Sequence, residues 1–132
     1  MSVHDVDAAV WTAVARLEEL HVDRGVAALV DGQPVALFRL GDGTLAAIDH
    51  VEPMTGMPVL ARGLVGSVGD VTYVSSPLHK QRYDLVTGQC LDDASVSVRT
   101  WSVTVIDGLV HVAAQPDGFE PDAFVPGTNA PG

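Results

Sequence analysis

The chain has 132 residues, 47% of them hydrophobic, which suits one compact domain with a buried core. Seventeen acidic residues against seven basic ones give a formal net charge of −10, which argues against nucleic acid or an anionic membrane surface as a partner. The sequence has no apolar run of about 18 residues, the length that spans a bilayer. A single cysteine, Cys90, excludes an internal disulfide, and the acidic N-terminal residues do not form a secretory signal, so we expect a cytoplasmic chain.

The first half of the chain has the periodicity of strands. A helical turn is expected around Leu17 to Leu20, between the first strand and a meander. Asp31-Gly32 and the Gly41–Gly43 segment separate apolar runs and predict tight hairpin turns. Strands are predicted at 10–15 and near 26–30, 34–40 and 44–48.

The second half begins with a segment rich in glycine and proline, residues 50–70, which we interpret as a long loop. Strands are then predicted at 71–76 and 81–86, and Asp107-Gly108 joins two valine-rich strands in a second hairpin. We expect an N-terminal extension over residues 1–9, an all-β domain over 10–114 and a Pro/Gly-rich tail over 115–132, where Phe119 and Phe124 are possible anchors.

Two loops, residues 47–60 and 75–88, carry a recognisable frame. Ile48-Asp49, Pro53, Gly56 and Pro58 belong to the first loop. The second contains Ser-Pro-Leu-His, then Tyr83-Asp84-Leu85 and Thr87-Gly88. This frame resembles the two cluster-binding loops of Rieske iron–sulfur domains over roughly residues 10 to 113. The resemblance implies an antiparallel β-sandwich with both loops at one tip.

Three of the four ligand positions of that frame hold the wrong donors for a [2Fe–2S] cluster, and only His79 is kept. The resemblance places Glu52 and Ser76 where the two cysteines would stand, and Met54 and His79 where the two histidines would stand. A Rieske centre needs two thiolates on one iron and two imidazoles on the other. We therefore expect no cofactor and no catalytic group on this chain. Cys90 lies beyond the Thr-Gly turn, and we interpret it as a small, partly buried apolar residue.

A mononuclear metal site is an open alternative. His50, Glu52 and His79 are two imidazoles and a carboxylate, the set used by non-haem iron sites. The bland interpretation is that His50 is a polar non-ligand and that His79 forms a hydrogen bond between the loops. A third possibility is a Rieske-like electron carrier for an oxygenase, which the missing thiolates oppose.

Within the Rieske-like group, the segments 61–93 and 96–112 are similar to the small subunits of assimilatory NAD(P)H-dependent nitrite reductases, and Ser-Pro-Leu-His-Lys-Gln-Arg is the most specific part. This resemblance implies a large-subunit partner carrying FAD, a [4Fe–4S] cluster and sirohaem, which would reduce nitrite to ammonium. It implies an accessory, non-catalytic role for the present chain.

The tip is the predicted docking surface for that partner. Adaptable apolar side chains and a local group of positive charges in an acidic chain would suit it. The alternatives are that the methionines pack the loop and that the charges are ordinary solvated surface. The docking candidates are Met54, Met57, Arg62, Leu78, Lys80 and Arg82, with Leu60 and Arg99 as further contributors.

Overall fold

The computed structural model describes residues 11–118, and within this range it contains strands, turns and two short 3₁₀ helices. No helix in the described range is long and apolar enough to cross a membrane. The 3₁₀ helices are Leu17–Glu19 and Leu60–Arg62. The strands are β1 (Trp11–Arg16), β2 (Gly25–Val30), β3 (Gln33–Arg39), β4 (Leu45–Asp49), β5 (Val51–Glu52), β6 (Met57–Pro58), β7 (Leu64–Val68), β8 (Val71–Ser75), β9 (Arg82–Asp84), β10 (Thr100–Trp101), β11 (Val103–Ile106) and β12 (Leu109–Ala113).

The strands form four sheets in which every named pair is antiparallel. A four-stranded sheet has the order β10-β4-β3-β2, and three-stranded sheets have the orders β1-β12-β11 and β7-β8-β9. The short pair β5-β6 forms the first loop. The predicted all-β, antiparallel fold is thus confirmed.

The four-stranded sheet is buried on both faces, and its central strand β3 shows this most clearly. Ala36 and Phe38 belong to one core cluster, whereas Val35 and Leu37 belong to the other. Successive residues of a strand point to opposite faces, so a strand covered on both sides has a continuous apolar sequence. The first cluster joins this sheet to β7-β8-β9, and the second joins it to β1-β12-β11.

Both predicted Asp-Gly hairpins are present. Asp31 and Gly32 have φ of 52° and 79°, and Asp107 and Gly108 have φ of 53° and 78°. Positive φ at both central residues is the mark of a two-residue type I′ turn, whose twist matches that of the flanking strands. The 3₁₀ turn at Leu17–Glu19 also lies where a helical turn is predicted.

Two secondary-structure predictions, one of a loop and one of a strand, are wrong. Residues 50–70 are not one long loop, because they contain β7, which pairs with β8 from Leu64↔Ser75 to Val68↔Val71. Its glycines concealed the strand. The strand predicted at 81–86 ends at Asp84, whose Oδ1 accepts hydrogen bonds from the N–H groups of Val86 and Thr87 and turns the chain.

Asp117, in the predicted tail, is hydrogen-bonded to the domain. The Asp117 N–H donates to the Thr100 carbonyl at 2.8 Å. The Asp117 carboxylate accepts hydrogen bonds from the hydroxyls of Thr100 and Ser102. The extension at 1–9 and the possible anchors Phe119 and Phe124 lie outside the described residues.

Candidate functional site

Glu52 is the centre of the first loop. It ends β5, is fully buried and accepts four hydrogen bonds. Oε1 accepts from the Thr55 N–H at 3.1 Å and from the Thr55 hydroxyl at 2.9 Å. Oε2 accepts from the Met54 N–H at 3.0 Å and from the Tyr83 hydroxyl at 2.8 Å. The carboxylate therefore closes its own loop and joins that loop to β9.

The pKa directions of this pair follow from the same geometry. Burial acts to raise the pKa of Glu52, but the hydrogen bonds from Tyr83, Met54 and Thr55 outweigh it and hold the pKa below its ordinary value. Burial, followed by the hydrogen bond and charge of Glu52, raises the pKa of Tyr83. At neutral pH the pair is an anionic carboxylate that accepts a hydrogen bond from a neutral phenol hydroxyl.

His50 organises the segment that follows the first loop. Its backbone carbonyl accepts hydrogen bonds from the N–H groups of Val59 and Leu60. Its Nδ1 accepts from the Ala61 N–H at 3.1 Å, so this nitrogen carries no proton. Burial lowers the pKa of His50, and the positive charge of Arg62 lowers it further. This buried, neutral histidine therefore holds residues 59–61 in place through its hydrogen bonds.

Ser76 occupies the corresponding place in the second loop. It is buried, and its hydroxyl oxygen accepts a hydrogen bond from the Leu78 N–H at 3.2 Å. The loop is closed by the Ser76 N–H donating to the Gln81 carbonyl at 2.8 Å, and by the Lys80 N–H donating to the Ser76 carbonyl at 2.9 Å. Backbone and hydroxyl bonds thus fix the shape of this loop.

The remaining predicted metal-site residues do not come together. His79 is exposed on the second loop, and Met54 is 47% exposed on the first. Cys90 is buried in the first core cluster and bridges to Tyr83, as expected of a small apolar residue. Over residues 11–118 no three His, Cys, Asp or Glu side chains form a group that could hold a metal ion, so His50, Glu52 and His79 form no such group.

The predicted docking candidates differ in accessibility. Met54, Met57 and Leu78 are about half exposed, and Arg62 and Lys80 are exposed. Leu60 is fully buried in the core, so the prediction that it contributes to the contact surface is wrong.

Two of the predicted cationic contributors already have anionic partners. Arg82 Nη2 lies 2.7 Å from Asp92 Oδ1, and the Arg82 guanidinium also lies 5.5 Å from the centre of the Tyr73 ring. Arg99 Nη2 lies 3.0 Å from Asp49 Oδ1. The hydrogen bond from Arg82 lowers the pKa of Asp92, as expected for a stable charged pair.

Tyr83 is a residue of the site that the sequence did not identify as such. It matches the family frame only as an aromatic position at the start of the Tyr-Asp-Leu strand. Its burial offers the missing signal, because a buried tyrosine hydroxyl requires a hydrogen-bond partner. That partner is Glu52, 31 residues earlier in the chain.

Comparison with known proteins agrees with this geometry. Residues 10–113 match the family described as the Rieske-like [2Fe-2S] domain. The chain belongs to this family. The Salmonella typhimurium nitrite reductase (NADH) small subunit is 34% identical to this Rieske-like domain over 103 residues, which are 77% of the chain and 95% of the relative.

A crystal structure and a longer relative agree with this match. A Mycobacterium tuberculosis protein assigned as an NADH-dependent nitrite reductase small subunit has 43% identity and a TM-score of 0.77. The match covers 79% of this chain and 94% of that one. A nitrite reductase [NAD(P)H] large subunit from Klebsiella oxytoca is 39% identical over 105 residues, 80% of this chain, but the chain spans only 11% of its length.

Proposed function

We propose that this Rieske-like domain is the non-catalytic accessory small subunit of an NAD(P)H nitrite reductase and docks on the large subunit. Two comparisons support the proposal. The match to the small subunit of Salmonella typhimurium covers 95% of that subunit. The Klebsiella oxytoca large subunit contains a segment similar to this chain. A domain that occurs inside the large subunit in one organism is a good candidate for direct contact with it in another.

The fully hydrogen-bonded Glu52 is the observation that carries the non-catalytic part of the proposal. At this position a Rieske cluster needs a sulfur anion. The carboxylate is instead committed to four donors, and metal binding would leave those buried donors without acceptors. Ser76, whose hydroxyl accepts from Leu78, is likewise no thiolate. This donor set does not fit a [2Fe–2S] cluster.

The redox chemistry then belongs to the partner. In the proposed complex the large subunit carries FAD, a [4Fe–4S] cluster and sirohaem and reduces nitrite to ammonium for nitrate assimilation in the cytoplasm. The present chain contributes a rigid tip, in which hydrogen bonds of Glu52 and Ser76 hold the two loops in place of a metal centre. Met54, Met57 and Leu78 offer apolar contact at that tip.

Two measurements test the proposal. The chain is isolated anaerobically and assayed for iron and acid-labile sulfide beside a cluster-bearing Rieske ferredoxin. We expect neither above the buffer background, and stoichiometric sulfide would overturn the cluster-free assignment. The purified large subunit is then tested for co-purification with this chain, and its nitrite-dependent NADH oxidation is assayed with and without the chain. We expect a stable complex, and the absence of any association would refute the accessory role.

A further inference from the structure

The seven basic side chains of this acidic protein fall into two groups. Arg82 and Arg99 form ion pairs, and Arg39 donates to the carbonyls of Leu17 and Leu20. Among the described residues, the other four form no ion pair. These are Arg16, Arg24, Arg62 and Lys80.

Three of the four, Arg24, Arg62 and Lys80, lie along one face. Two close backbone contacts explain why. A Cβ on Gly25 would be 2.3 Å from the Ala61 carbonyl oxygen, so β2 can approach the second 3₁₀ helix only with glycine there. This approach places Arg24 and Arg62 in the wall of the same cavity. A Cβ on Gly63 would be 2.3 Å from the Ser75 carbonyl oxygen, so the same helix abuts the second loop.

Two adjoining cavities follow this face. One, of about 270 Å³, is lined by Arg62, Gly63, Leu64, Ser75, Ser76, Pro77 and Lys80 and has no acidic residue in its wall. The other, of about 340 Å³, shares Arg62, Gly63 and Leu64 with the first and adds Asp23, Arg24, Gly25 and Ala61. Leu64, common to both, is 78% exposed.

The backbone of Lys80 is held in place by hydrogen bonds. Lys80 has a φ of 64°, and its position is held by its N–H bond to Ser76 and by the Ser75 hydroxyl, which donates to the Lys80 carbonyl at 3.2 Å. The side chains of Arg24, Arg62 and Lys80 are exposed, so their charges are available to a partner. Asp23 is the one carboxylate in either wall, against three cations.

We propose that the strip Arg24–Arg62–Lys80, with Leu64 at its centre, receives acidic side chains of the nitrite reductase large subunit. This inference rests on the proposed accessory role and names the surface that performs it. A positive patch bounded by an acidic surface suits a few protein carboxylates, because extended polyanions such as nucleic acid or an anionic bilayer would be repelled by the net charge of −10. Arg82, held by Asp92, lies outside the strip.

The test measures binding of the purified large subunit to the full chain and to Arg24→Glu, Arg62→Glu and Lys80→Glu variants. Arg16→Glu is the matched control, because it changes the net charge equally at an exposed arginine outside the strip. We expect each strip variant to bind about tenfold more weakly, mainly through slower association, while the control stays within about threefold of the unmodified chain. Raising the salt concentration should weaken the unmodified chain and reduce the difference between variants.

The outcomes separate the two proposals. If the unmodified chain binds and all four variants bind equally well, the proposed role of the strip is refuted and the accessory role stands. Equal weakening of all four, including Arg16→Glu, would also overturn the strip, since overall charge alone would explain it. Failure of the unmodified chain to bind would refute the accessory role itself. Thermal melts of each variant check that the fold is unchanged, and a strip variant that melts early is replaced by its neutral Gln counterpart.

Discussion

At the scale of single residues, the first loop depends on the hydrogen bonds that the Glu52 carboxylate accepts. Glu52 has four donors and no solvent contact, so both lone-pair regions of each oxygen are engaged. A charged acceptor buried in this way is stabilising only while every donor is kept. The loop is therefore sensitive to small chemical changes at this position.

Replacing Glu52 with Gln tests that sensitivity. The amide nitrogen must face donors that the carboxylate accepted, so at least one backbone N–H, of Met54 or Thr55, loses its acceptor. We expect the free energy of unfolding to fall by about 1–3 kcal/mol, measured by urea denaturation. Glu18→Gln, the same exchange at an exposed site, should change it by less than about 0.5 kcal/mol. Equal urea denaturation midpoints for the two variants would contradict the predicted stabilising role of the Glu52 hydrogen bonds.

His50 adds a pH dependence of predictable sign. Its pKa in the folded protein lies below its ordinary value, so the unfolded chain binds the proton more readily. The resulting stability is present above the unfolded pKa of about 6.5 and is lost as the pH falls through the folded pKa. Glu52, whose pKa is also lowered, acts in the same direction at lower pH.

His50→Asn isolates the histidine contribution, because the Asn carbonyl can accept from the Ala61 N–H without titrating. Thermal melting is followed from pH 8 to pH 5. We expect the unmodified chain to lose more of its melting temperature over this range than the variant does. Parallel pH profiles for the two proteins would show that His50 does not titrate against folding.

Only part of the site could be predicted from the sequence. The sequence predicted the two loops and the ligand positions Glu52, Met54, Ser76 and His79, of which only His79 keeps the residue type of the family frame. It also named Met54, Met57 and Leu78, which are about half exposed. It did not reveal that Glu52 pairs with Tyr83, because this contact joins residues 31 positions apart and exists only after the sheets have packed. It also overlooked Arg24, whose place in the same cavity wall as Arg62 follows from the approach of Gly25 to Ala61.

At the scale of elements, local turn chemistry was predictable and sheet pairing through glycine was not. Asp31-Gly32 and Asp107-Gly108 determine their hairpins locally, so both were predicted correctly. β7 was missed because glycine lowers strand propensity, whereas its pairing with β8 is a tertiary contact that overrides propensity. The second 3₁₀ helix depends in the same way on close contact with neighbouring strands.

Gly25→Ala tests that close contact. The added methyl would lie 2.3 Å from the Ala61 carbonyl oxygen and 2.7 Å from Phe38 Cε2, so β2 and the second 3₁₀ helix must separate. We expect a loss of about 1–3 kcal/mol in the free energy of unfolding. Gly41→Ala is the control, since nothing lies within 4 Å of its added methyl and its φ is not positive. A Gly25→Ala variant as stable as the control would show that the two elements can move apart freely.

At the scale of the whole molecule, the four-stranded sheet is the layer on which everything else depends. Its two buried faces support both core clusters, one beneath the loops and one against β1-β12-β11. The tip is therefore built on a sheet that is fixed from both sides, which suits a surface that must present charges in a constant arrangement. The charge distribution is a property of the same scale, since local cations are distinctive only against a net charge of −10.

The C-terminal limit of the domain is the last feature of this scale. The sequence places it at residue 114, yet Asp117 bonds to Thr100 through its backbone and to Thr100 and Ser102 through its carboxylate. Two truncated chains, 1–114 and 1–118, test where the domain ends. We expect the shorter one to be less stable by about 1 kcal/mol in urea denaturation, because it lacks these bonds to β10 and to the residue that follows it. Asp117→Ala in the longer chain should reproduce most of that loss. Identical denaturation midpoints for the two truncations would show that the domain ends at residue 114 and that the bonds of Asp117 do not stabilise it.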